Sequence, residues 1–236
     1  MTSLSEKSFG ARFLQAQNLL NSIEGFSGYD PPGQTESVNG FAAFLQAIDQ
    51  CNIKKSECMQ QYKAAVRARQ LAFREDDISI MKLLPRIKAA ILAQYGRNSQ
   101  QFKAVSSIIA QMRAVKFVPV SAAPNSSQEK SISQSQQSYG SLLGYFKDLV
   151  GALGQMSDYT SSNVALQTPN LLAFIATVDA LNTAVTQKLQ ALREQRQQCL
   201  VYYDDLTTSV QKVKAYLRAH YGPKSYEYQS IQGIGV

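Results

Sequence analysis

Apolar residues recur along most of this chain at alternating steps of three and four, the pattern of helices that bury one face. Phe13, Leu19, Leu20 and Ile23 predict a first helix within 9–26, and Ser27-Gly28-Tyr29-Asp30-Pro31-Pro32-Gly33 ends it. A long helix begins near 37–39, where Ser37 or Asn39 can cap it. It carries Phe41, Phe44, Leu45, Ile48, Cys51, Met59, Tyr62 and Val66 and runs to about 74. At 1.5 Å per residue it is on the order of 50 Å long, and so thin an apolar stripe needs a partner along its length.

The next segment supplies that partner in the sequence reading. Asp76-Asp77 suit a helix start, Ile80, Leu84, Ile87 and Ile91 keep the helical period, and Gly96 suits the left-handed position that closes a helix. Together the two predict a long antiparallel helical hairpin, with Pro85 kinking its second arm or marking that arm's first turn. Asn98-Ser99 can cap a short trailing helix carrying Phe102, Val105, Ile108, Ile109 and Met112.

The same order then restarts. Tyr139-Gly140 matches Phe9-Gly10, Ser157 with Tyr159 matches Ser27 with Tyr29, and Asp179 with Asn182 matches Asp49 with Asn52, all 130 positions apart. Further on, Leu206, Val210, Val213 and Leu217 match Ile80, Leu84, Ile87 and Ile91, and Tyr221-Gly222 matches Tyr95-Gly96, now 126 apart. The first half therefore holds four more residues near the join of its two long helices, about one helical turn, which leaves the apolar stripe in phase. The reading is an all-α, bundle-like fold made by tandem duplication of a four-helix unit: short helix, long antiparallel hairpin, short trailing helix. Its parts are a first unit at 1–116, a Pro/Ser/Gln-rich linker at 117–137 and a second unit at 138–236.

Composition fits a folded chain: 236 residues with 44% hydrophobic content can bury a core, and only 7 are proline. No apolar run reaches the length of a membrane span, and the start lacks the basic stretch and apolar segment of a secretory signal, so the expected location is cytoplasmic. Cys51, Cys58 and Cys199 are odd in number, and Cys51 and Cys58 are two turns apart on one helix, so reduced thiols are expected.

The net charge of +7 is uneven. Through Lys116 there are 15 Lys and Arg against 9 Asp and Glu, and afterwards 9 against 8. Lys54, Lys55, Lys63, Arg67, Arg86 and Lys88 are the candidate contacts for nucleic acid or another anionic surface, within a basic series that also includes Arg69, Arg74 and Lys82. Tyrosine offers stiff contact area with a polar tip, which makes Tyr139, Tyr145, Tyr202 and Tyr226 candidate interface residues.

Catalytic chemistry finds no foothold in the pattern. The single histidine, His220, has no nominated partner for base catalysis, and one histidine with scattered cysteines does not make a zinc site. Asp76-Asp77 and Asp204-Asp205 read as helix starts, and Asp49-Asn52 and Asp179-Asn182 as polar contacts that set helix register. No phosphate-binding glycine motif occurs. The expectation is a non-enzyme without metal or cofactor, a structural or scaffold protein that self-associates or binds a protein partner. Binding of nucleic acid through the basic face of the first half is the alternative.

Overall fold

The computed structural model describes residues 8–114 and 127–236, with side chains of the second stretch described from residue 138 onward. Among the described residues the fold is all helical, without strands. Its elements are α1 (Phe9–Glu24), α2 (Val38–Gln70), a π-helical segment (Leu71–Glu75), α3 (Ile80–Tyr95), α4 (Gln100–Ala114), α5 (Ser127–Gly154), a 3-10 turn (Val164–Leu166), α6 (Thr168–His220) and α7 (Tyr226–Gln232). Of the expected linker, 117–126 lie outside the described residues, while 127–137 are the opening of α5.

Local signals act where the sequence places them. The hydroxyls of Ser37 and Ser99 accept from the backbone N–H groups of Gly40 and Phe102, so each helix start has a side-chain cap. Ser8 and Ser225 do the same for α1 and α7. Gly96 and Gly222 take φ of 79° and 95°, a left-handed conformation that other residues enter only with strain. Pro85 lies inside α3, on its exposed side.

The hairpin expectation fails in the second half. α6 is one unbroken helix of 53 residues, about 80 Å long, and Asp204-Asp205 lie in its interior and not at a start. The physical reason is that no glycine or proline occurs from Asn170 to Tyr221, and the apolar period continues through Leu192, Cys199, Tyr203, Leu206 and Val210. In the first half the path is broken at 76–79, yet α3 does not fold back along α2. Gln61 on α2 accepts from Lys188 of α6, and α3 packs on the 3-10 turn that precedes α6, some 22 residues further along it. The chain therefore passes through the break and continues in the same direction. At this break the π segment and the extended Asp76 and Ser79 carry the chain from one helix to the next.

The residues form two compact units: unit 1 holds 1–60 and 190–236, and unit 2 holds 61–189. These do not coincide with the sequence halves, because each long helical path contributes to both. In unit 1, Leu19 and Ile23 of α1, Phe41, Leu45 and Ile48 of α2, Leu206, Val213 and Leu217 of α6 and Ile231 of α7 share one core. Antiparallel α2 and α6 are joined there by the Cys51–Cys199 disulfide, with Cα atoms 5.9 Å apart. That bond corrects the expectation of reduced thiols; Cys58 alone is free. In unit 2, Phe73, Ile80, Leu84, Ile87 and Ile91 pack with Val105 and Ile109 of α4, Leu142, Phe146 and Leu149 of α5 and Leu171 and Val178 of α6.

Contacts in the two units correspond at the spacing of 130. Phe9 meets Tyr203 with ring centroids 4.5 Å apart, and Tyr139 meets Phe73 at 4.7 Å. The Tyr29 hydroxyl donates to the Glu36 carbonyl, and the Tyr159 hydroxyl donates to the Leu166 carbonyl.

Candidate functional site

The six basic candidates are distributed over the two units, Lys54 and Lys55 in unit 1 and the rest in unit 2. Lys54, Lys63 and Arg86 are exposed, whereas Arg67 is paired with Glu75 at 2.7 Å. Lys55 is half-buried over the Phe9 ring and donates to Asn52 Oδ1; burial, aided by the charge of Arg196, lowers its pKa. Lys88 lies over the Phe102 ring. Three of the six thus have partners within the protein.

The tyrosines also separate. Tyr139 is 8% exposed and packs in the core of unit 2, while Tyr145 and Tyr202 are half-buried, the latter beside Phe44. Tyr226, at 78% exposure, is the one of the four whose ring is presented to solvent. His220 ends α6 stacked on Tyr216 and edge-on to Tyr221. Among the described residues no three His, Cys, Asp or Glu side chains form a group able to hold a metal, and Asp77 pairs with Lys82. No helix among them is long and apolar enough to cross a membrane.

The register residues lead to a more unusual place. In unit 1, Asn52 is satisfied: its Nδ2 donates to the Tyr203 hydroxyl at 2.9 Å, and its Oδ1 accepts from Lys55 at 3.2 Å. In unit 2, Asn182 Oδ1 is buried with no hydrogen-bond partner among the described residues. Other atoms of Asn182 line a cleft of about 300 Å³ between α2, α5 and α6, together with Arg69, Lys147 and Asp179. Lys147 and Asp179 pair at 3.0 Å on its wall.

Arg69 is the group that sets this cleft apart. It is 4% exposed, its guanidinium carbon lies 4.1 Å from the centre of the Tyr139 ring, and its buried Nε has no hydrogen-bond partner among the described residues. No carboxylate pairs with it among the described residues. Burial lowers its pKa, and the nearby Tyr139 and Tyr62 oppose that shift. A guanidinium remains charged in such surroundings, and here the face of the Tyr139 ring is what meets its charge. The sequence holds a signal for it: Tyr62, Val66, Arg69 and Phe73 keep the apolar period, so Arg69 is a charged residue at a core position. A second cleft, about 460 Å³, lies at the turn between α5 and α6 and is lined by uncharged residues such as Met156, Tyr159 and Gln167.

No protein-family model, curated protein or solved structure matches the chain.

Proposed function

We propose that the protein is a non-catalytic structural or scaffold protein acting through self-association or a protein partner, built on a duplicated helical unit. The observation that carries the reading is the placement of large apolar side chains outside the cores. Leu200 and Val201, adjacent on α6, are 42% and 51% exposed, in a unit whose Leu14 and Ile53 are also exposed. Exposed apolar side chains on helices of otherwise polar surface favour burial against another protein.

The corresponding ring contacts at Phe9–Tyr203 and Tyr139–Phe73 support the duplication. So does the make-up of each unit, whose leading helix and trailing helix come from opposite halves of the chain. Such an arrangement is the intramolecular equivalent of two copies exchanging their second halves. The Cys51–Cys199 bond supports residence in an oxidising compartment over the reducing cytosol, against the location expected from the chain's start.

Sedimentation velocity across a wide concentration range tests the reading. The expected result is a reversible increase in size with concentration that Leu200→Glu with Val201→Glu suppresses while helix content is kept. A strictly monomeric particle would remove the self-association arm. Salt-sensitive binding to nucleic acid that charge reversal at Lys63 and Arg86 abolishes would replace the proposal with the basic-face alternative.

A further inference from the structure

From Ile78 to Ala114 the chain has six Lys and Arg and no Asp or Glu. The stretch forms α3, the turn at Gly96 and α4, two helices of unit 2 that pack on each other. On α3, Ile80, Leu84, Ile87 and Ile91 are buried, while Lys82, Pro85, Arg86, Ala89 and Leu92 face solvent. On α4, Val105, Ile109 and Met112 are buried, while Lys103 and Arg113 are exposed. Lys82 is held by Asp77, but Arg86, Arg97, Lys103 and Arg113 have no ion pair among the described residues. The outer side of the helix pair is therefore an exposed field of positive charge that the fold does not neutralise.

That side is also apolar along one line. Pro85, Ala89 and Leu92 follow at steps of four and three, so they are neighbours on one outward stripe of α3, and Leu92 is 43% exposed. Ile78, just ahead of the first turn, is 51% exposed. Unit 1 shows that the architecture does not require such a face. Residues 78–110 hold five Lys and Arg and no Asp or Glu, whereas the corresponding 204–236 hold four against three. Asp204 and Arg218 stand where Ile78 and Leu92 are, and Lys212, the counterpart of Arg86, pairs with Glu36 at 3.4 Å.

Exposed cations around an apolar stripe match a surface that is anionic on top and apolar beneath. A nucleic acid would use the cations but not Leu92, and the rings of the helix pair, Tyr95 and Phe102, are partly buried and offer no open face for base stacking. Neither cleft described above is lined by residues of this pair. We propose that the outer side of α3 and α4 docks on a membrane surface rich in anionic phospholipid. Arg86, Arg97 and Lys103 meet headgroup phosphates, and Leu92 enters the boundary with the acyl chains. The chain lies on the bilayer in this way without crossing it, and the docking is independent of self-association.

The experiment pellets the full chain with phosphatidylcholine vesicles made with and without about 30% phosphatidylserine, in about 50 mM and about 200 mM salt. Binding is expected only to the anionic vesicles and should fall as salt rises. Arg86→Gln with Lys103→Gln should weaken it at least about tenfold, since each cation near such a surface is worth about fivefold. Leu92→Ser should weaken it about fivefold at either salt, because its contribution is apolar. Arg218→Gln with Lys224→Gln removes the same charge from unit 1 and should cost less than about twofold. All five positions are exposed, and the lipid and salt dependence of the unaltered chain tests the proposal without any variant. No pelleting with anionic vesicles in the lower salt, an equal loss from the unit 1 variant, or indifference to Leu92→Ser would each overturn it. So would tighter binding of duplex DNA or of polyglutamate than of the vesicles, which would give the face to a nucleic acid or to an acidic protein.

Discussion

Loss of the Cys51–Cys199 bond is expected to lower stability by an amount set by the chain it closes. The two residues are 148 apart in sequence. Restricting a loop of that length in the unfolded state is worth about 5 kcal/mol on the chain-entropy model, the top of the range that disulfides reach. For a chain of 236 residues the unfolding entropy is about 0.5 kcal/mol per kelvin, so the expected fall in Tm is about 10 °C. The assay compares thermal unfolding of the oxidised chain with that of a Cys51→Ala, Cys199→Ala double variant, after thiols are counted in denaturant. One reactive thiol, Cys58, is expected before reduction and three afterwards. Three thiols without reductant would refute the bond itself. A bond confirmed by the count but worth less than about 2 °C would refute the entropy argument, because an unfolded chain already compact near these residues has little freedom left to lose.

Two further substitutions test local statements. Gly40→Ala should destabilise by about 1–3 kcal/mol in urea titration, because a methyl there meets the Gln34 carbonyl; helix propensity alone predicts a gain of about 1 kcal/mol, so the sign decides. Tyr29 is pushed well above the usual tyrosine range by burial first, then by Tyr216, Glu36 and Tyr221, so the folded state holds its proton more tightly than the unfolded state. Its contribution is complete below the unfolded value near pH 10 and is lost as pH rises beyond it. Tm measured from pH 8 to 11 should fall, and Tyr29→Phe should flatten that fall; an unchanged slope would contradict the assignment.

How far the sequence could be read depended on which forces left a one-dimensional trace. Stripes such as Ile80, Leu84, Ile87 and Ile91 are fully buried as their period implies, and Ser37, Ser99, Gly96 and Gly222 act where their chemistry suits a helix end. The break at 76–79 left a trace as well, in the acidic pair Asp76-Asp77 that suits a helix start. The route of the chain beyond that break did not show, since a helix that folds back and one that runs on bury the same stripe. Asp204-Asp205 resembled a helix start only because Asp76-Asp77 stand beside a true interruption. Arg69 was legible as a charge inside an apolar period, but the Tyr139 ring that faces it comes from α5, distant in sequence. The disulfide was equally distant, since nothing in the spacing of Cys51 and Cys199 states that α2 and α6 run antiparallel.

The way the units draw on the chain also determines when each can form during synthesis. Unit 2 is one continuous stretch, 61–189, and has all its residues once that stretch has left the ribosome. Leu19, Ile23 and Ile48 are made early, but their core is completed by Val213, Leu217 and Ile231. At about 5–20 residues per second, some 180 residues of translation separate them, roughly 10–40 s. Through that interval the first helices carry uncovered apolar faces while the middle of the chain folds ahead of them. The protein is thus completed from the inside outward in sequence, and its earliest segment is among the last to find its place.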